Sequence, residues 1–360
     1  MDNLKKVREL IRKNGLDGFL VTNPTNIYYL TGFKGLLSAD REAYLVLAKA
    51  PAFITARLYQ SEAKAVRKNG LQIAIAKERN EMLKLAINKL QKCAKVGFEK
   101  NNLLFGEYEE LKQGLLAKLT ATENFIENLR VIKTEEEINK IEKAQIISQK
   151  AFKEILKTLK VGQTEAEIAH NLLSIIHSLG GEGLAFESIV ASGPNSGRPH
   201  HKTGSRKISK GEILLLDFGA RYQNYHADLS RTIFIGKANP EHKKIYHHVK
   251  NAQQKAIKKI SHGIKSNMAF RAANDHFKGE RLEKYFLHGL GHGIGLEIHE
   301  EPYLRPSRET TLQNNMVFSV EPGIYIPGYG GVRIEDLVLV RSGKAELISR
   351  SKREIIELNV

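Results

Sequence analysis

Five side chains able to hold a metal ion lie beside apolar, strand-like runs toward the C-terminal end of the chain. They are Asp217 and Asp228 in LLLDFGARYQNYHADLSRT, His292 in HGLGHGIGLEIHEEP, Glu321 in SVEPGIY and Glu335 in GVRIEDLVLV. Four of the five are carboxylates, and an apolar strand is a poor place to leave a charge. Two carboxylates about 4 Å apart repel by roughly 4 kcal/mol at an effective dielectric near 20. If the four converge, the cluster is untenable without bound cations. Hard oxygen ligands with one imidazole suit divalent ions such as Mn, Co, Zn or Fe, and a close pair of such ions makes a hydrolytic centre.

The spacing favours convergence. Asp217 closes the apolar run Ile213–Leu216, and Asp228 follows the turn-prone segment Tyr222–Tyr225. Side chains alternate along strands, so if the two strands pair, an interval of eleven places both carboxylates on one face. Glu321 and Glu335 repeat the pattern, with Pro322–Gly323 and the Gly328–Gly331 stretch as the turn. A single strand-end carboxylate is usually a solvated charge. Four flanked alike, with a histidine-rich segment between them, are not. His288, His292 and His299 fall within twelve residues of glycine-dense chain, where the backbone can bend tightly and approach closely. Upstream, His200 follows Pro199 in SGPNSGRPHHKTG, too rich in Gly, Ser and Pro for a helix.

The elements that must carry these residues divide into two halves. Up to about residue 130, short apolar strands alternate with helical patterns. A helix with Leu4, Val7, Leu10 and Ile11 on one face ends at Gly15. Strands are expected at Gly18–Val21, Ala43–Leu47, Ala52–Thr55, Leu71–Ala76 and Lys95–Glu99, with helices near 58–69 and 79–91. This half reads as an α/β layer without a phosphate loop or catalytic cluster. The second half opens on a capping box, Thr134 with Glu137, and a second one, Thr164 with Glu167, starts a helix that Gly180 and Gly181 terminate. A further helix around 243–261 carries Ile245, Val249, Ala252, Ala256 and Ile260 on one face. Hairpins rich in Ile, Val and Leu lie between and after these helices, which makes this half α+β.

With 360 residues, 41% hydrophobic and 27% charged, the chain can build one large or two ordinary cores. The net charge of +16 comes from Lys and Arg interleaved with Glu, as in KTEEEINKIEKAQ, without a basic tail or an aromatic stacking motif, so nucleic acid is not an expected partner. The single cysteine, Cys93, excludes an internal disulfide framework and fits a reducing compartment. The segment MDNLKKVRELIRKNG reads as an amphipathic helix, not a signal peptide, and no apolar run is long enough to span a membrane. A cytoplasmic protein is expected.

The segments PHHKTG, LLLDFGARYQNYHADLSRT, HGLGHGIGLEIHEEP, SVEPGIYI and GVRIED together resemble the signature of the pita-bread metallopeptidases, nearest the Xaa-Pro aminopeptidase and Xaa-Pro dipeptidase (prolidase) branch. The N-terminal half, with NPTNIYYLTGF, resembles the creatinase-type domain that precedes the catalytic one in that branch. The resemblance implies a ribonuclease-H-like α/β domain over residues 1–131 and an α+β pita-bread catalytic domain over 132–360. It implies two divalent ions, most readily Mn. Asp217 and Asp228 would hold one, His292 and Glu321 the other, with Asp228 and Glu335 bridging and a hydroxide between the ions as nucleophile. Glu321 would also shuttle the proton, while His200, His288 and His299 would hold the substrate and stabilise the tetrahedral intermediate. Arg333 and Tyr325 match supporting and pocket positions. The implied activity is removal of the residue before a proline, as an Xaa-Pro aminopeptidase or, alternatively, as an Xaa-Pro dipeptidase with the same site. A homodimer is implied too. Methionine aminopeptidase fits less well, because of the extra N-terminal domain. Creatinase works without metal and would not need five ligands, and an intact ligand set argues against a non-catalytic binding protein.

Overall fold

The computed structural model describes residues 3–34, 41–66 and 70–359. The chain forms two compact units, Met1–Arg130 and Val131–Val360.

In the first unit, helix α1 (Asn3–Lys13) buries Leu4, Val7 and Ile11. A mixed six-stranded sheet follows, built from β1 (Gly18–Val21), β2 (Ala43–Leu47), β3 (Ala52–Ala56), β4 (Gln72–Ala76), β5 (Lys95–Glu99) and β6 (Lys118–Thr122) in the order β4-β3-β2-β1-β5-β6. The five expected strands are present. The sixth, β6, escapes a sequence reading because KLTAT carries no apolar run and every residue of it stays at least partly exposed. Helix α2 (Pro24–Thr31) is also unannounced by periodicity. Local chemistry starts it, since Asn23 caps it by accepting from the Thr25 and Asn26 amides and Pro24 stands in the first turn. The helix expected over 58–69 is shorter. A 3-10 turn at Arg57–Tyr59 leads into α3 (Gln60–Lys64), and residues 67–69 lie outside the described ones. Helices α4 (Met82–Leu90), α5 (Phe105–Gly114) and α6 (Glu127–Arg130) complete the unit.

The second unit opens on α7 (Glu135–Thr158) and α8 (Glu165–Ser178), each started by the expected capping box. Their apolar faces, including Ile147, Ile155, Ile168 and Leu172, pack against Val190, Leu214, Leu216 and Ile233. The later pair, α9 (Pro240–Lys259) and α10 (Ser266–Gly279), packs Val249, Ala252, Ala269, Ala273 and Phe277 against Phe318, Val320, Val338 and Val340. Asn239 caps α9, which starts three residues earlier than the apolar periodicity alone indicates.

Between these helix pairs run two sheets. One contains β8 (Ile189–Ser192), β9 (Ile213–Phe218), β12 (Leu229–Ile235) and β20 (Glu357–Leu358). The other contains β13 (Gly291–Gly293), β14 (Glu300–Leu304), β15 (Val317–Val320), β18 (Asp336–Arg341) and β19 (Lys344–Leu347). Each sheet contributes one long, interrupted hairpin. Strands β9 and β12 pair from Ile213–Phe234 to Phe218–Leu229, and the same register resumes in β10 (Ala220–Tyr222) and β11 (Tyr225–His226), which join β7 (Gly183–Leu184). Likewise β15 and β18 pair from Val317–Leu339 to Val320–Asp336, and the register resumes in β16 (Gly323–Ile326) and β17 (Gly330–Arg333). At each interruption the ladder opens. In the first hairpin, Gly219 stands opposite Asp228, and in the second Glu321 stands opposite Glu335. Gly219 is required there, because a Cβ would sit 1.7 Å from the Ala227 carbonyl oxygen.

Candidate metal centre

Both openings face one site. Asp217 pairs with Ser230 across the first hairpin, and Asp228 lies two residues before Ser230, so alternation puts both aspartates on the same face. The third contributor is His292 on β13, which pairs with β15 through Gly293 and Phe318. Its segment passes so close that a Cβ at Gly291 would lie 2.0 Å from the Ser319 carbonyl oxygen. One oxygen each from Asp228 and Glu335 and one ring nitrogen of His292 fall within 4.8 Å of one another. The His292 Nε2 is 3.2 Å from Glu321 Oε1 and 3.7 Å from Asp228 Oδ2. Asp217 joins through Arg333, whose guanidinium donates to Asp217 Oδ2, to the Tyr325 hydroxyl at 2.6 Å and, from Nε, to Ser230 Oγ at 2.8 Å. Ser230 Oγ in turn donates to Glu335 Oε2 at 2.8 Å, and Ser319 Oγ donates to Glu321 Oε1 at 2.8 Å. All five residues proposed as ligands from sequence are therefore together, and Arg333 and Tyr325 brace them.

The electrostatics show what this cluster lacks. Burial pushes Asp228 and Glu335 well above the usual carboxylate range, and the mutual repulsion of the acids adds to it. Asp217 is also raised, since burial outweighs the adjacent Arg333. Glu321 goes the other way: burial would raise it, but the hydrogen bond and charge of His292 prevail and hold it down to about 2. His292 is raised in return, its carboxylate partner overcoming burial. One buried guanidinium and one imidazole cannot balance four carboxylates, so by themselves the acids must take up protons. Asp217 Oδ1, Asp228 Oδ1 and Glu335 Oε1 are moreover buried with no hydrogen-bond partner. Buried polar atoms are nearly always satisfied, and orphaned oxygens on acids of which Asp228 and Glu335 gather beside an imidazole fit divalent cations in donor type and in charge.

The centre floors a cleft of about 470 Å³. His200 and His299 stand exposed on its wall, and His288 is half-buried there. His288 spends both ring nitrogens, one 2.7 Å from the Gly289 carbonyl oxygen and the other 2.8 Å from the Tyr325 hydroxyl. Burial pushes the Tyr325 phenol up to about 12, so it keeps the proton it donates to His288. Burial, then the charge of His292 and also that of His200, holds His299 down to about 4. The apolar wall, Phe186, Ile189 and Ile298, and the cationic Arg305 were not identified from sequence, because nothing in their local pattern sets them apart from core or surface. Ser230 and Ser319 were missed as well. A polar residue inside an apolar strand beside each acid was the available signal. His226, at the tip of the first hairpin, hydrogen-bonds Gly295 and does not line the cleft.

An α/β unit followed by an α+β unit with an oxygen-rich buried centre defines a divalent-metal enzyme. Residues 139–342 match metallopeptidase family M24, and residues 3–132 match the creatinase/prolidase N-terminal domain. The chain belongs to metallopeptidase family M24. It is 33% identical over 356 residues to an Xaa-Pro dipeptidase of Pyrococcus horikoshii, covering 99% of each chain. In structure it is similar to an Xaa-Pro dipeptidase from Bacillus anthracis, with a TM-score of 0.93, 34% identity and 99% of each chain covered. It is also similar to an X-Pro aminopeptidase from Thermotoga maritima, with a TM-score of 0.87, 30% identity, and 97% of this chain and 99% of that one covered. The fold is thus a creatinase-type N-terminal domain with a pita-bread catalytic domain, and the protein is a metallopeptidase.

Proposed function

We propose that the chain hydrolyses the peptide bond between an N-terminal residue and proline, with Asp217, Asp228, His292, Glu321 and Glu335 holding two divalent ions. The observation that carries this reading is the set of three orphaned, buried carboxylate oxygens, two of them on Asp217 and Asp228, which line a cleft walled by histidines, and the third on Glu335, clustered with Asp228 and His292. When bound, such ions supply Lewis acidity toward the scissile carbonyl and toward an attacking water. The chain's own residues do the rest. Glu321 is the carboxylate that stays ionised, and it is proposed to take the proton from water and pass it to the leaving proline nitrogen. His299, kept neutral, and His200 are proposed to hold the substrate and to donate to the oxygen that becomes anionic. His288 joins them by releasing Tyr325, and until then it braces Tyr325 and Arg333. Arg333 fixes Asp217 and supplies the fixed positive charge.

Manganese is proposed as the native ion, with Co, Zn or Fe as alternatives, because the donors are mainly carboxylate oxygens. A cytoplasmic homodimer, with domains at 1–131 and 132–360, completes the reading. The lone Cys93 supports a reducing compartment, and among the described residues no helix is long and apolar enough to cross a membrane. The sequence reading led with an aminopeptidase. A dipeptidase with the same site is the second reading, favoured by what the Pyrococcus horikoshii and Bacillus anthracis proteins are named for. The test compares cleavage of an Xaa-Pro dipeptide and a longer Xaa-Pro peptide with Mn, Co, Zn and Fe. Cleavage of both supports the aminopeptidase, cleavage of the dipeptide alone supports the dipeptidase, and cleavage of neither refutes the substrate class.

A further inference from the structure

His200 stands exposed on the cleft wall, in a loop with no regular structure beyond a 3-10 turn at Gly193–Gly197. Such a side chain, on a segment rich in Gly, Ser and Pro, has wide conformational freedom unless neighbouring groups remove it. The structure supplies them. Glu165, the first residue of α8, is fully buried, and its carboxylate faces this loop rather than solvent. Oε1 accepts from the Ser192 amide at 2.8 Å, the Ser192 hydroxyl at 2.7 Å and the Asn195 amide group at 2.9 Å. Oε2 lies 2.8 Å from Nε2 of the buried His201 imidazole and accepts from the Gly204 amide at 3.3 Å. One carboxylate thus ties together residues twelve positions apart, from the start of the loop to its end.

We propose that Glu165 and His201 are positioning residues that aim His200 into the cleft. The geometry brackets His200. On one side the Pro199 carbonyl oxygen accepts from an Arg333 nitrogen at 3.3 Å, and on the other His201 is held by Glu165. With both neighbours tied, the backbone of His200 is restrained at each side, and its side chain lines the cleft. The loop is also fastened to the second hairpin, because Ser196 Oγ accepts from the Gly331 amide at 2.9 Å. Glu165 touches neither the cleft nor the acid cluster, so its influence on turnover must pass through the loop.

This inference rests on the Xaa-Pro reading, and its test separates the two. Kinetics are measured on an Xaa-Pro peptide for wild type, H201A, E165Q, H200A and the H200A double variants. The expected result is a loss of about tenfold or more in kcat/KM for H201A and E165Q, because small misplacement of a catalytic group is costly. Added to H200A, either change costs less than about twofold, since the two act through one residue. Equal losses in both backgrounds, or no loss in the single variants, overturn the proposal. Where E165Q fails to fold, H201A carries the test, as it leaves the other four donors to Glu165 in place. Imidazole nitrogen NMR gives a readout free of turnover. His201 should appear with its proton on Nε2, and the His200 resonances should shift and broaden in H201A; unchanged His200 resonances refute the anchor. If wild type cleaves no Xaa-Pro peptide, the substrate reading fails, and the NMR comparison alone decides the anchor.

Discussion

The two interrupted hairpins use one device with different contents. In each, a continuous antiparallel register opens for a few residues as the chain passes from a large sheet to a small one, and acids stand at the opening. An opened ladder leaves side chains uncovered by a neighbouring strand while the apolar residues beside them stay packed. The first hairpin places a glycine opposite its acid and draws the second aspartate from within the strand. The second places two glutamates opposite each other. The supports differ too. Both glutamates accept from serine hydroxyls, one from each hairpin, whereas Asp217 is held by Arg333 and Asp228 Oδ1 is left orphaned.

The comparison breaks most sharply at the paired openings. Asp228→Asn and Glu335→Gln should each reduce turnover by about a thousandfold or more with the fold retained, because each removes a charge from the residues that would hold the ions; kcat together with circular dichroism checks this, and wild-type rates in either variant refute that residue's assignment as a ligand. Chelation should act as strongly, abolishing activity, with Mn or Co restoring it. Ion at about a hundred times its Kd should stabilise the fold by about 2.7 kcal/mol, read as a rise in melting temperature.

The pH dependence sharpens the same contrast. Asp228 and Glu335 have folded pKa values raised above their unfolded ones, so the native state binds extra protons. Their contribution is present below the ordinary carboxylate range and is lost as pH rises through the raised values. Glu321, lowered to about 2, contributes above its ordinary value and loses that contribution as pH falls toward about 2. The chelated protein should therefore melt at a lower temperature near pH 8 than near pH 5. Restoring Mn, or combining D228N with E335Q, should reduce that slope, Asp217 being the raised acid that remains in the double variant. A slope unchanged in the double variant would place its origin elsewhere.

Smaller effects separate the supports. Ser230→Ala, which strips a hydrogen bond from both Glu335 and Arg333, should cost about 1–3 kcal/mol of stability and more than tenfold in kcat/KM. Ser319→Ala should cost less, because Glu321 is partly exposed and keeps His292. Equal losses would show that the two openings are supported alike. The smallest effect belongs to the tip of the first hairpin, where Gln223 and Asn224 both have positive φ, at 49° and 64°. Two such residues form the turn whose twist suits a hairpin. Asn224→Ala should lower stability by about 1 kcal/mol without changing kcat.

Much of this was legible in the residues because charge in an apolar strand is a strong local signal. Asp217, Asp228, Glu321 and Glu335 stand out from their neighbours wherever the strands go, and the capping boxes at Thr134 and Thr164 announce their helices through contacts three residues apart. What stayed hidden had no local signature. The edge strand β6 is half-polar, α5 buries only Leu111, and α2 depends on a cap rather than a periodicity. The serines and Arg305 are ordinary residues until a fold brings them to the cleft.

The sequence by itself determined which side chains would be untenable in an apolar strand without a cation and where strands and helices would start, since alternation, capping and burial of charge act over a few residues. Only the tertiary structure decided which acid faces which. It left Glu321 ionised beside His292 while Asp228 and Glu335 were driven toward protonation, and it set His200 between two anchored neighbours. Those outcomes depend on distances across separate strands and loops, where burial and Coulomb forces compete over a few ångströms.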